Sequence, residues 1–345
     1  MIVDDSMVAR AVLSRMVEAD PAFEIVAVAG TAEDALEALD AVRVDIILLD
    51  LDMPGAGGLQ SIPKILAAAG GAKVIIVSSM AEEGGVDTVA ALALGAADTL
   101  PKPGVGRFNG KFSEVLVSKL KALGRANHQQ PTAFHVPATG QQAPLRAMSF
   151  GPIDVVAIGA STGGIHALDT LFQQLPPAIG VPILVTQHLP APFMAIFARQ
   201  LGATAKREAV VAEEGMELRP DLIMIAPGDS HMTVALSGNT PVIHLIQGGT
   251  RSGCMPSVDP MFASVGAVFG ERALGVVLTG MGRDGAEGAH AIVSAGGSVI
   301  AQDEVSSAVW GMPRAVLEAG LASAVLPPDK IARRIASRVE AVPCR

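Results

Sequence analysis

Residues 154–164 read Asp-Val-Val-Ala-Ile-Gly-Ala-Ser-Thr-Gly-Gly. An apolar run enters a glycine-bracketed serine, and residues 165–175 then show helical spacing, so the segment predicts strand, tight turn and helix. The same alternation extends in both directions. Strand-like runs occupy residues 24–29, 45–49, 73–77, 155–158, 183–186, 222–226 and 274–279, with Ala-rich helical stretches at 32–39, 61–69 and 165–175. Alternation of this kind predicts an α/β fold with doubly wound, mostly parallel sheets. Residues 231–246 break the pattern, because Gly238-Asn239 separates two alternating runs and predicts a β-hairpin.

A boundary falls midway. After a helix predicted at 112–123, the composition turns at Gly124 to Gln, Pro, Thr, Ala and His without apolar periodicity. The expected organisation is a domain at 1–123, a flexible linker at 124–150 and a second domain at 151–345. The chain has 345 residues, enough for two cores, and a net charge of −9. That charge, no Tyr and a single Trp argue against a nucleic-acid partner. The apolar runs fall short of the roughly 18–20 residues of a membrane span. Asp4 and Asp5 stand where a secretory leader needs positive charge, and Cys254 and Cys344 are too few for a disulfide framework. A soluble, cytoplasmic protein is expected.

Two constellations carry chemistry. In the first, Asp4 and Asp5 follow a short apolar start, Asp50 follows Ile46-Ile47-Leu48-Leu49, Ser78 and Ser79 close residues 74–77, and Lys102 follows Thr99-Leu100. A parallel sheet gathers such positions at the carboxyl ends of its strands, where ligands bind. Converging carboxylates repel and call for a hard divalent cation, and Mg²⁺ suits an oxygen-only set. A single Asp after a strand is ordinarily a turn or cap residue; the ordered set is not.

The set resembles the response-regulator receiver family over residues 1–122, a flavodoxin-like fold. The resemblance implies that Asp50 accepts a phosphoryl group from a partner histidine kinase, that Asp4 and Asp5 join Asp50 in holding Mg²⁺, that Ser78 follows phosphorylation, and that Lys102, followed by Pro103, contacts the phosphoryl group. Two departures stand out: the first strand is very short, as though truncated or clipped, and Thr99 replaces the usual aromatic switch residue.

In the second constellation, Gly159-Ala160-Ser161-Thr162-Gly163 fits the elbow that lifts a Ser hydroxyl above a sheet, although a helix cap or phosphate turn has a similar outline. A serine nucleophile needs a base and an orienting acid. His188 ends an apolar run in Gln187-His188-Leu189-Pro190; His166 follows the elbow on its helix, pointing away, and His231 lies on a turn and remains a candidate. Asp284 sits at the mouth of the glycine-rich turn Gly280-Met281-Gly282-Arg283-Asp284-Gly285, whose N–H groups could form an oxyanion hole. The chain order Ser, His, Asp is not that of α/β-hydrolases.

These motifs, together with Ala226-Pro227-Gly228-Asp229 and Pro256-Ser257-Val258-Asp259, resemble the catalytic domain of chemotaxis protein-glutamate methylesterases. That resemblance implies Ser161 as nucleophile, His188 as general base, Asp284 as its orienting partner and the Met281 N–H as oxyanion donor, with Thr162 and Trp310-Gly311-Met312-Pro313 lining the site. It also implies hydrolysis of glutamate methyl esters, with deamidation of glutamines, on chemoreceptors. The enzyme is expected to work as a monomer, peripheral to its membrane receptors, with no cofactor for the esterase and with the unphosphorylated receiver occluding the cleft. Cys254-Met255 stand where basic or His residues commonly precede Pro-Ser-Val-Asp. With no elbow and no His expected near it, Cys254 is disfavoured as a nucleophile.

Overall fold

A computed structural model describes residues 1–53, 57–78, 82–102, 110–128, 144–149 and 151–339. The chain forms two compact units, Met1–His135 and Val136–Arg345. Among the described residues, no helix is long and apolar enough to cross a membrane.

The first unit runs β1 (Ile2–Val3), α1 (Met7–Glu18), β2 (Val28–Ala29), α2 (Ala32–Ala41), β3 (Ile46–Leu49), α3 (Gly58–Ala68), β4 (Lys73–Ser78), α4 (Glu82–Ala93), β5 (Asp98–Pro101) and α5 (Gly110–His128). Its strands are all parallel, in the order β2-β1-β3-β4-β5. The chain therefore winds outward from β1 to β2 and back across β1 to β3, leaving the switch point between β1 and β3. Ile47, Leu49, Ile75 and Ile76 are fully buried, as strands covered on both faces require. The strand predicted at 24–29 shrinks to Val28–Ala29, because β1 offers only the ladder positions Ile2↔Val28 and Val3↔Ala29.

The second unit runs β6 (Val155–Ala160), α6 (Gly164–Gln174), β7 (Ile183–Gln187), α7 (Ala191–Ala205), β8 (Ala209–Val211), β9 (Ile223–Ile225), β10 (His231–Ser237), β11 (Thr240–Ile246), α8 (Val258–Phe269), β12 (Ala273–Val277), α9 (Ala286–Ser294), β13 (Ser298–Gln302), α10 (Met312–Glu318), β14 (Ala324–Leu326) and α11 (Pro328–Val339). Seven parallel strands lie in the order β14-β13-β12-β6-β7-β9-β8. The switch point is between β6 and β12, so the turns after β6, β7 and β12 meet at one place on the carboxyl edge. β10 and β11 form the expected antiparallel hairpin, with Ser237 opposite Thr240 and Gly238 at φ +64°.

The stretch expected as linker is structured at both described ends. α5 continues to His128, past Leu123. Nearer the second unit, the Arg146 N–H donates to the Ala322 carbonyl at 2.9 Å, and Arg338 donates to the carbonyls of Ser149 and Gly151. Residues 129–143, the centre of that stretch, lie outside the described residues, as do Ser79, Pro103 and Cys344.

Candidate functional site

The first unit brings its acidic residues together. Strand pairing places them: the Asp4 N–H donates to the Ala29 carbonyl at 3.2 Å, and the Asp50 N–H to the Val3 carbonyl at 2.8 Å. Carboxylate oxygens of Asp4, Asp5 and Asp50 lie within 4.8 Å of one another. Lys102 Nζ bridges Asp4 at 2.9 Å and Asp50 at 2.7 Å. Burial, the larger influence on Asp50, raises its pKa despite Lys102. Burial also opposes the Lys102 charge, but Asp50 and Asp4 outweigh it and hold that pKa above the ordinary lysine value. Three convergent, oxygen-only ligands fit Mg²⁺. The buried Ser78 hydroxyl lies 2.6 Å from that of Thr88 on α4. Thr99, also buried, fills its position on β5 with a small side chain.

In the second unit, Ser161 immediately follows β6, and its N–H donates to the Thr279 carbonyl at 3.0 Å. Gly163 makes the turn into α6 at φ +76°, where a Cβ would stand 2.4 Å from that of Ala308. Gly280 approaches the serine so closely that a Cβ there would lie 2.7 Å from Ser161 Cβ. The two glycine turns are thus packed against each other, which requires the absence of side chains in both.

Beside them, the His188 N–H donates to the Ala160 carbonyl at 3.0 Å, tying β7's end to the serine turn. His188 Nε2 meets Asp284 Oδ2 at 2.7 Å. Asp284 is buried and accepts two more bonds, from the Ser257 hydroxyl to Oδ1 at 2.6 Å and from the Val258 N–H to Oδ2 at 2.8 Å. Burial works against the Asp284 charge, but His188, Ser257 and Val258 prevail and hold it well below the usual carboxylate range. Burial likewise opposes a charged His188, and its bond to Asp284, with the Cys254 sulfur nearby, outweighs that, pushing the pKa up to about 9.

His166 is exposed on α6. His231 is buried in a supporting position: its Nε2 pairs with the Gly248 carbonyl at 3.0 Å, and its Nδ1 accepts from the Ser257 N–H at 3.0 Å. His231 therefore orients Ser257, which in turn holds Asp284. Neither that relay nor the role of Ser257 was drawn from the sequence, although Pro-Ser-Val-Asp marked the place. Asp259 of the same motif accepts from the Gly288 N–H at 2.8 Å, joining α8 to α9; burial raises its pKa to about 6.

Thr162 is buried, and its carbonyl accepts from the Thr279 hydroxyl at 2.9 Å. Met281 is partly exposed at the turn. Trp310 bridges to Gly280, and its indole N–H donates to the Gln302 carbonyl at 3.1 Å. One expectation fails. Cys254 does have a histidine beside it, since the donor atoms of Cys254, His188 and Asp284 lie within 4.8 Å of one another. The loop before α8 brings the sulfur there, and nothing in the spacing of residues 188 and 254 shows it.

The family model of the CheB methylesterase matches residues 156–335, and that of the response regulator receiver domain matches residues 1–107. The chain is 43% identical to protein-glutamate methylesterase/protein-glutamine glutaminase 2 of Caulobacter vibrioides, covering 99% of both chains. It is 39% identical to protein-glutamate methylesterase/protein-glutamine glutaminase 1 of Paramagnetospirillum magneticum, over 96% of this chain and 93% of that one. The crystal structure of the Thermotoga maritima CheB methylesterase catalytic domain matches with 35% identity and a TM-score of 0.52, over 54% of this chain and 98% of that one.

Proposed function

The chain belongs to the CheB methylesterase family, with a response regulator receiver domain preceding the catalytic domain in sequence, and on that premise we propose a phosphorylation-controlled esterase that removes methyl groups from glutamates of chemoreceptors and deamidates their glutamines. The observation that carries the catalytic assignment is the 2.7 Å His188–Asp284 pair, buried on the Asp284 side and anchored at Ala160 next to Ser161.

Ser161 Oγ attacks the ester carbonyl. With Nε2 engaged by Asp284, Nδ1 of His188 takes the serine proton and returns it to the departing methanol. Water then hydrolyses the acyl-enzyme by the same proton route in reverse. The Met281 N–H, on a turn with Gly282 at φ +85°, is the oxyanion donor in this scheme, with Thr162 and Trp310 as the lining residues. A glutamine side chain passes through the same tetrahedral state and loses ammonia.

In the receiver, Asp50 is the phosphoryl acceptor, served by a histidine kinase. Asp4, Asp5 and Asp50 would hold Mg²⁺, which when bound supplies positive charge against phosphoryl oxygens. Lys102 is placed to pair with the added charge, and Ser78 to exchange its Thr88 partner for a phosphoryl oxygen. The protein acts as a cytoplasmic monomer, meeting membranes only through its receptors.

Methanol release from methyl-labelled receptor membranes tests the assignment. It should vanish in Ser161→Ala and rise, in the wild type, with Mg²⁺ and a small phosphodonor. The Asp284–His188–Cys254 contact admits a second reading, in which sulfur is the nucleophile. Turnover lost in Cys254→Ser but kept in Ser161→Ala would establish that reading and remove ours.

A further inference from the structure

Cys254 is a free thiol, beside the residues of the proposed serine mechanism, to which that mechanism gives no task. It lies unbridged and partly exposed in the loop before α8. That loop is tied down: the Cys254 N–H donates to Ser252 Oγ at 3.3 Å, its carbonyl accepts from Thr250 Oγ1 at 3.4 Å, and Ser252 Oγ donates to Ser257 Oγ at 3.3 Å. Asp284 is fixed from below by Ser257 and Val258, and His188 by its backbone bond to Ala160. Three separate turns thus aim a sulfur, an imidazole nitrogen and a carboxylate oxygen at a space no more than 4.8 Å across, with Asp284 buried and the other two partly open to solvent.

We propose that Cys254, His188 and Asp284 form a binding site for a thiophilic divalent cation, best matched by Zn²⁺, and that its occupancy arrests the hydrolase. One sulfur, one nitrogen and one oxygen are the donors zinc takes, and three protein ligands leave a fourth position for water. Zinc–ligand bonds of about 2.0–2.3 Å put tetrahedral donors roughly 3.3–3.8 Å apart. The 2.7 Å His188–Asp284 contact is shorter than that, so the ion enters by displacing the proton between them and parting ring and carboxylate by about an ångström. Sulfur binds as thiolate, and its proton also leaves to solvent. The site differs in kind from the oxygen-only cluster of Asp4, Asp5 and Asp50, which suits hard Mg²⁺. One chain therefore holds a hard-cation site in its receiver and a soft-cation site in its esterase. The arrest rests on the catalytic reading above, because a neutral ring metallated on Nε2 carries its one proton on Nδ1, which then has no lone pair to take the serine proton; the binding itself rests only on the three donors.

Cobalt separates the two claims. Titrating the full chain with Co²⁺ should produce a near-ultraviolet thiolate-to-cobalt charge-transfer band that saturates at one ion per chain. Cobalt on the receiver carboxylates gives no such band. Cys254→Ser should abolish it and weaken binding by at least the 10–100-fold known for lost supporting groups, while Cys344→Ser should retain it. In the methanol-release assay, free Zn²⁺ at about ten times its dissociation constant should leave about a tenth of the turnover. A chelator should restore it, and Cys254→Ser should keep its own metal-free rate at that Zn²⁺ level. No band, or a band that survives Cys254→Ser, overturns the site. A band lost in Cys254→Ser with turnover indifferent to Zn²⁺ overturns the arrest. If the wild type releases no methanol at all, the catalytic reading has failed while cobalt still decides the site.

Discussion

Replacing Asp284 with Asn isolates the charge of the carboxylate proposed to orient His188 from its shape. Asp284 accepts from His188 Nε2 and the Val258 N–H on one oxygen and from the Ser257 hydroxyl on the other. An Asn carbonyl can take over the first pair of bonds, and its amide can donate to Ser257 Oγ, since a hydroxyl accepts as well as donates. The fold and the His188 tautomer should therefore survive, leaving the lost charge as the main change. Opposite unit charges about 4 Å apart at an effective dielectric near 20 attract by about 4 kcal/mol, which is about a thousandfold in rate if it acts on the imidazolium formed in the transition state. The same charge helps hold the His188 pKa at about 9. A base works only when neutral, so wild-type turnover should climb with pH toward about 9, and Asp284→Asn should move that limb to lower pH. Methanol release across a pH series, with thermal melting to verify folding, measures both effects. A folded variant with near wild-type turnover and an unmoved limb would refute the role given to Asp284.

Ser257→Ala removes a hydroxyl bound to a buried carboxylate at 2.6 Å, and should cost about 1.5–3 kcal/mol of stability by denaturant unfolding together with a fall in kcat. Gly163→Ala meets both a left-handed φ and a 2.4 Å approach to Ala308; strain of about 1–3 kcal/mol should appear as a lowered melting temperature and a displaced serine, with turnover falling even in folded protein. Asp50→Asn should abolish the response to Mg²⁺ and phosphodonor while leaving esterase turnover measurable, and a variant that still responds would place the acceptor elsewhere. Because His188 has a raised pKa when folded, its pairing contributes fully below its ordinary value of 6.5 and is lost as pH rises through about 9. Melting of the wild type should weaken over that window more than melting of Asp284→Asn.

What could be read from the sequence were the residues whose place follows from strand direction alone. Once residues 46–49, 155–160 and 183–187 are parallel strands, Asp50, Ser161 and His188 must fall at one edge of their sheets, and the structure shows each of them there. Asp284 was legible for the same reason, through the turn after β12. The remainder depends on pairing between distant segments. The length of β2 is decided by how much of β1 stands beside it. His231 acts through a loop 26 residues further on, where the Ser257 N–H happens to face its Nδ1. Proximity of Cys254 to His188 likewise comes from the path of the loop before α8, which no periodicity encodes.

The residues fixed by strand direction are those proposed to supply the reacting atoms, whereas those brought by loops form their surroundings: Ser257 and His231 beside Asp284, Cys254 beside His188. A loop residue can change without moving the sheet beneath it, because its backbone bonds run to neighbours such as Ser252 and Thr250 rather than to a ladder. Position 254 is therefore a place where substitution can reset the environment of His188 while Ser161 and Asp284 stay where β6 and β12 put them. A basic side chain there would lower the His188 pKa by repulsion. Cys254→Lys should accordingly shift the pH limb of turnover downward and, because the same repulsion bears on the imidazolium formed in the transition state, lower the plateau rate as well; a limb that did not move downward would place the charge of residue 254 out of reach of the ring.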